Sequence, residues 1–441
     1  EIEKIALYQN YEFIDAKVIE DIKGNKINFT FEIEDTEKLY VNKINILGNN
    51  ITSEKFIRNL LIVDEGDPFN KILHNKSLNV LRSKNLFSKV ESKIIDTENS
   101  DQKDINITIE EKPTGEIMAG AGYGSDGSTF TVGIRENNFK GEGINLNTKL
   151  SISDETLKGF FQYTHPNFAY TDRELSTSLE SSVTDKLTDF GYKSTLNQVS
   201  VGTRYEQFED TFFSPRLSVS SETLDTTSTA STAYKKQEGS YFDTTFDYAL
   251  VLDKRNSAFQ PSSGFYSSWF QELPIISENQ TIINGYRITG YKELIDDMIL
   301  SSGIYSRAVN SLSDQDVRVS KRLFAPSSRL RGFESGKVGP VDGTDHIGGN
   351  YVVTFNTSST IPYVLQTQEN LDLKVFFDAG NIWGVDYSSA LDDSNTIRTS
   401  TGVTLEWITP IGPLSFSFSE VLSKASTDKT QSFKFQLGTT F

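Results

Sequence analysis

Cysteine is absent from this chain, and its three histidines, His74, His165 and His346, lie far apart. Disulfides and thiolate metal sites are thereby excluded, and a clustered zinc centre is not expected. Serine and aspartate are plentiful, but they lack the strand–turn–helix context of a hydrolase nucleophile. No nucleotide-binding glycine loop is present. Glu293, Asp296 and Asp297, like Glu206, Glu209 and Asp210, sit at turn signals and read as solvated loop ends. The residues that stand apart are Arg329 and Arg331, in Arg329-Leu330-Arg331-Gly332-Phe333-Glu334-Ser335-Gly336. A guanidinium is a rigid fork that can hold a carboxylate through two parallel N–H donors. The chemistry expected is therefore a clasp and not a reaction. The surrounding segment, residues 321–349, is rich in turn residues, with Gly339, Gly343, Gly348 and Gly349 adding to the two glycines above. Such a backbone suits close packing against another surface.

A clasp needs walls. The chain has 441 residues and a formal net charge of −17, which argues against nucleic acid as a partner. No apolar run approaches the roughly 18 residues of a membrane-spanning helix. Aromatics nevertheless make up 12%, with 30 Phe and 18 Tyr. That combination suits a membrane barrel, in which only alternate residues face lipid.

Three regions follow from periodicity. Residues 1–38 begin with a helix face at Ile2, Ile5 and Ala6. A strand at Ala16 and Val18, a turn at Gly24-Asn25 and a half-buried strand at Ile27, Phe29, Phe31 and Ile33 come next. This region reads as the C-terminal part of a small domain, so the chain is expected to belong to a longer protein. Residues 39–113 predict a complete small α+β unit in the order β-α-α-β-β. Thr52 or Ser53 would cap a helix bearing Phe56, Ile57, Leu60 and Leu61, and a second helix carries Leu73, Val80 and Leu81. From residue 114 to 441 the pattern becomes alternating runs separated by Gly, Asn, Asp, Ser and Pro. About sixteen runs can be placed, the seventh of them starting near Arg216, an even number as expected for a bacterial membrane barrel. Phe433, Phe435, Leu437, Thr439 and Phe441 share one face of the last run, and Lys434 and Gln436 share the other. Along the run from Leu371, Asp378 falls on the polar, inward face with Asp372 and Lys374. The first run, with Gly115, Gly120, Gly122 and Gly124, has few side chains for cross-strand packing.

These residues together identify a resemblance. The β-α-α-β-β order matches a POTRA domain. Leu330-Arg331-Gly332-Phe333 resembles the signature of proteins that place POTRA domains before a sixteen-stranded outer-membrane barrel. Val338-Gly339-Pro340, Gly348-Gly349-Asn350 and Phe376-Phe377-Asp378-Ala379-Gly380-Asn381-Ile382-Trp383 fit in order, as do Trp407 to Leu414 and Asn137-Asn138-Phe139 with Gly141 and Gly143. The chain is most similar to the barrel-assembly branch of that superfamily.

The resemblance implies that the signature loop folds back into the lumen and that Arg331 meets an acid on the inner wall. Asp378 matches one acidic position. A second aligns with Ser358, which carries no charge, so Arg331 is left with Asp378 alone or with Glu406 as a further partner. The resemblance also implies a lateral seam between the first and last strands, at Gly120, Gly122, Gly124, Phe433, Phe435, Gln436 and Phe441. There a client strand would pair with an exposed edge. The implied partners are unfolded outer-membrane barrel proteins, accessory lipoproteins docking on POTRA, periplasmic chaperones, membrane lipid and lipopolysaccharide. No cofactor or metal, no enzymatic activity and an outer-membrane location with POTRA in the periplasm are implied as well. A translocation or secretion pore of the same superfamily is the alternative function.

Overall fold

The computed structural model describes residues 14–23, 26–35, 39–125, 127–171, 173–228, 230–258, 260–362, 370–391, 396–409 and 412–438. The expected helix at Ile2, Ile5 and Ala6, the Gly24-Asn25 turn, Pro410-Ile411 and Phe441 lie outside the described residues. Two compact units form: Glu1–Glu116 with Glu136–Leu146, and Ile117–Arg135 with Asn147–Phe441.

In the first unit, β1 (Ile14–Lys23) and β2 (Lys26–Asp35) form an antiparallel hairpin. The sequence predicts a half-buried face here, yet Phe29 and Phe31 are more than half exposed, because no described element covers them. The β-α-α-β-β module follows. Its strands are β3 (Tyr40–Leu47), β4 (Phe87–Asp96) and β5 (Gln102–Glu111), in the sheet order β3-β5-β4. Of the two cap candidates, Ser53 is the one used: its Oγ accepts from Phe56 N and starts α1 (Glu54–Arg58). Asn70 caps α2 (Lys71–Ser83) in the same way. Val41, Ile44, Ile57, Leu81, Ile105 and Ile107 are almost fully buried between helices and sheet. The α2 face that packs inward includes His74, Ser77, Leu78 and Leu81, whereas Val80 is only half-buried.

Two polar anchors here escape any periodicity argument. Glu111 accepts from the backbone N–H groups of Asn50, Ile51 and Thr52 at 2.9, 2.9 and 2.6 Å. Burial raises the Glu111 pKa, but the Thr52 hydroxyl and these N–H donors outweigh it and hold the carboxyl below its ordinary value. The turn at Glu136–Leu146 belongs to this unit. Asn138 Nδ2 donates to Thr52 Oγ1 at 2.9 Å, and Ser53 N donates to Gly141 O at 2.9 Å.

His74 gives a pH test. It is buried, its Nε2 lies 2.9 Å from Ser92 Oγ, and burial pushes its pKa below the ordinary value. The folded state therefore binds fewer protons than the unfolded state once pH falls below about 6.5. The contribution of His74 is fully present above that pH and is lost as pH falls toward its folded value. Hydrogen exchange, corrected for intrinsic rates, should show α2 losing protection as pH falls below about 6.5. His74→Gln should flatten that dependence.

The second unit is built on a closed barrel. The strands nearest the small domain in sequence are β6 (Gly115–Gly124), β7 (Gly127–Phe139), β8 (Ile144–Ser153) and β9 (Thr156–His165). Next come β10 (Glu174–Lys186), β11 (Tyr192–Phe208), β12 (Thr211–Thr226) and β13 (Gly239–Asp253). They are followed by β14 (Gly264–Ser277), β15 (Thr281–Ile295) and β16 (Met298–Ser311). A long loop then carries a short hairpin, β17 (Val341–Asp342) and β18 (Asp345–His346). The barrel resumes with β19 (Tyr351–Thr360), β20 (Leu371–Trp383), β21 (Arg398–Thr409), β22 (Gly412–Ser423) and β23 (Phe433–Gly438). Sixteen strands close the ring, β23 pairing with β6. One run departs from its expected bounds. The sequence places its start near Arg216, but β12 begins at Thr211, and the ladder runs through Pro215, opposite Tyr248.

Side-chain burial is inverted relative to a water-soluble sheet. On β11 and β12, Val199, Val201 and Leu217 are 46–48% exposed, while Ser200 and Ser218 are nearly inaccessible. Apolar side chains that face outward and polar ones that face inward are stable only if the outer medium is hydrocarbon.

Candidate functional site: the luminal clasp and the barrel seam

The loop between β16 and β19 lies inside the ring. Its own apolar residues hold it there. Leu323, Leu330, Phe333 and Val338 are buried in one cluster with the wall residues Ile283, Val309, Val352 and Ile382. Leu330 and Phe333 flank the signature arginine and glycine, so hydrophobic anchoring on both sides fixes where Arg331 points. Gly332 adopts φ +89°, a left-handed conformation. A Cβ there would also stand 3.1–3.3 Å from Val421, Ser419 and Ser400 side chains.

Arg331 and Asp378 meet in a fork-to-fork pair. Nε donates to Asp378 Oδ2 at 2.7 Å and Nη2 to Oδ1 at 2.7 Å, and Arg331 N donates to Oδ2 at 3.1 Å. Asp378 is fully buried. A carboxylate removed from water must find its hydrogen bonds inside the protein, and a fourth donor, Asn356 Nδ2, reaches Oδ1 at 2.8 Å. The guanidinium lies over the Phe376 ring, 3.5 Å from its centroid. Ser400 Oγ donates to Arg331 O at 2.5 Å, and Gln431 N donates to Gly332 O at 2.9 Å.

Glu406 and Ser358 stand elsewhere. Glu406 Oε2 accepts from Lys374 Nζ at 2.6 Å. Asp372 faces Glu406 across the β20–β21 ladder, while Asp378 faces Ser400. Arg331 Nη1 reaches Thr404 Oγ1 at 3.4 Å, two residues before Glu406 on β21, but Glu406 itself is paired with Lys374 and not with Arg331. Ser358 pairs its hydroxyl with Ser301 Oγ at 2.8 Å. Asn356, one inward position along the same strand, takes the place beside Asp378 and also donates to Arg329 O at 2.6 Å. Alternation could have marked Asn356 as inward, but only the register Asn356↔Asp378 brings it to the clasp.

Two further buried clasps are invisible in the sequence. Arg398 and Asp428, both without side-chain exposure, pair through Nε–Oδ2 at 2.9 Å and Nη2–Oδ1 at 3.0 Å. Asp428 Oδ1 also accepts from the loop's Gly339 N at 3.2 Å. Arg318, at the loop's start, donates to Glu222 Oε2 at 3.1 Å and to Asp243. Removing one partner of such a pair leaves an uncompensated buried charge, which costs about 3–5 kcal/mol. Asp428→Ala should therefore lower the melting temperature of the folded barrel, read as heat-modifiable gel mobility. Asp428→Asn should cost less, since it keeps one acceptor.

The other candidate site is the β6–β23 junction. Its described register is Gln436↔Gly124, Leu437↔Tyr123 and Gly438↔Gly122. Ser125 adds two bonds with Phe435: Ser125 N donates to Phe435 O at 3.1 Å, and Phe435 N donates to Ser125 Oγ at 3.1 Å. The glycines permit close approach: a Cβ on Gly124 would sit 2.6 Å from Phe435 O. On the outer face Tyr123 and Phe435 rings stand 5.6 Å apart, and Phe435 continues to Phe433 at 6.3 Å. Gly120 lies on β6 next to this stretch.

Known proteins share this architecture. The Omp85 superfamily domain matches residues 138–441, and a POTRA model, described as surface antigen variable number repeat, matches residues 39–112. The outer membrane protein assembly factor BamA of Neorickettsia risticii is 24% identical over 427 residues, which is 95% of this chain and 57% of that protein. The protein of the same name from Nitratidesulfovibrio vulgaris is 23% identical over 97% of this chain and 54% of its own length. The chain thus spans little more than half of these curated relatives. The crystal structure of BamA from Haemophilus ducreyi lacking POTRA domains 1–3 superposes with a TM-score of 0.85 at 23% identity, covering 100% of this chain and 92% of that one. That likeness establishes a POTRA domain followed by a sixteen-stranded antiparallel barrel. With the superfamily model covering most of its length, this chain belongs to the Omp85 superfamily.

Proposed function

We propose that the chain is the membrane-embedded part of an outer-membrane protein assembly factor, which folds and inserts β-barrel proteins without chemical catalysis. The observation that supports this reading is the β6–β23 junction, where Gly120, Gly122 and Gly124 leave few side chains to pack across the seam. A bilayer forbids open strand edges. An edge exposed there has one way to satisfy its N–H and C=O groups, which is to accept another strand. An unfolded outer-membrane barrel protein supplies that strand, and its folding supplies the free energy. Residues 39–113 form a POTRA domain and residues 1–38 the end of a preceding one, both in the periplasm. They receive clients from periplasmic chaperones and dock accessory lipoproteins. Lipid and lipopolysaccharide surround residues 114–441. The clasp of Arg331 and Asp378 holds the luminal loop in the state that supports insertion. The test is reconstitution of the full-length protein in vesicles with a urea-unfolded client barrel. Folded, protease-resistant client should accumulate several-fold faster than with empty vesicles, and equal rates would refute the proposal.

A further inference from the structure

Beside the clasp lies a luminal cavity of 210 Å³ whose electrostatics oppose those of the whole chain. The chain carries −17, yet Arg287, Arg329 and Arg331 all line this one space. Asp378 neutralises Arg331 and spends its lone pairs on Arg331 and Asn356. Arg287 on β15 and Arg329 on the loop have aromatic neighbours instead. Arg287 lies 5.2 Å from the Tyr266 ring and Arg329 5.1 Å from the Tyr305 ring. Among the described residues neither has a carboxylate within ion-pair distance. Hydroxyl and amide groups, among them Ser301, Ser358, Thr289 and Asn356, make up most of the rest. Thr289 Oγ1 is buried without a hydrogen-bond partner.

We propose that this cavity binds a small tetrahedral oxyanion of the phosphate class. Two guanidinium groups with unspent donors supply the charge and the geometry that such an anion takes. Thr289 supplies a neutral donor. The space equals about seven waters at roughly 30 Å³ each, which suits a hydrated inorganic ion. Arg287, Thr289, Ser301, Asn356 and Ser358 share the inward face of the wall, away from lipid, so the source is a free ion and not a headgroup. Bound there, the anion joins Arg329 of the loop to Arg287 of the wall. It would act as a second, exchangeable clasp next to the permanent one. This inference does not depend on the proposed insertion activity.

The experiment is calorimetric titration of inorganic phosphate into the full-length protein in phospholipid-free detergent, at constant ionic strength. Saturable one-site binding is expected, weakened about tenfold or more by Arg287→Gln and by Arg329→Gln. Arg216→Gln, which breaks an inward pair with Asp247 on another wall, should leave it unchanged. Ser358→Glu should abolish binding by building a carboxylate into the cavity, and should raise the phosphate-free melting temperature. Absence of saturable heat up to about 20 mM phosphate would overturn the proposal. So would equal affinity in the wild type and Arg287→Gln, or undiminished binding in a folded Ser358→Glu protein.

Discussion

Arg331→Glu in the full-length protein should abolish insertion and release the luminal loop to protease, while the barrel remains folded. The substitution replaces a bidentate pair by two carboxylates facing one another, one of them fully buried. Breaking a buried pair costs about 3–5 kcal/mol, and like-charge repulsion adds to it. That is enough to move the loop from almost always seated to mostly unseated. The Asp378→Arg reversal should restore seating only in part, and the reason is local. Asn356 Nδ2 and Arg331 N both point donors at position 378. They serve an aspartate and would oppose an arginine. A double mutant with no recovery in loop protection would remove the pairing argument. A single mutant with a fully protected loop would remove the clasp itself.

The second large effect concerns the seam. Gly122→Cys with Gly438→Cys places thiols at register partners. Opposed residues in an antiparallel ladder have Cα atoms about 4.5–5.5 Å apart, within the range a disulfide spans. A Cβ on Gly122 makes ordinary contact, 3.4 Å from Leu437 O, so the substitution is tolerated there, whereas Gly124 would clash. The chain has no cysteine of its own, which makes the bond unambiguous. Under oxidation, client insertion should fall at least tenfold with heat-modifiable mobility retained, and a reductant should restore it. Undiminished insertion by fully crosslinked protein would show that clients do not pass through the seam.

The strand count and the inward position of Asp378 could be read from the sequence because a barrel strand writes its two faces into a period of two. The start of β12 was misplaced because Pro215 resembles a break, although one missing N–H does not end a ladder that neighbouring residues sustain. What could not be read depends on register between distant strands. Arg318 meets Glu222 across 96 positions, and Arg398 meets Asp428 from the far side of a hairpin. Nothing local distinguishes these residues from solvated charges. His74 was missed for a related reason. A polar residue on a helix reads as exposed until its partner, here Ser92 on the neighbouring sheet, comes into view.

The attachment points of the loop fall in a pattern with a mechanical meaning. It is bonded to β19 through Asn356, to β20 through Asp378, to β21 through Ser400, and to the segment after β22 through Gln431 and Asp428. Three consecutive staves and the segment before β23 thus share one internal brace, and Arg318 adds a second one on β12 and β13. A hoop stiffened over a continuous arc cannot spread its strain evenly. Bending concentrates where the bracing ends, and β23 against β6 is the first unbraced joint beyond it.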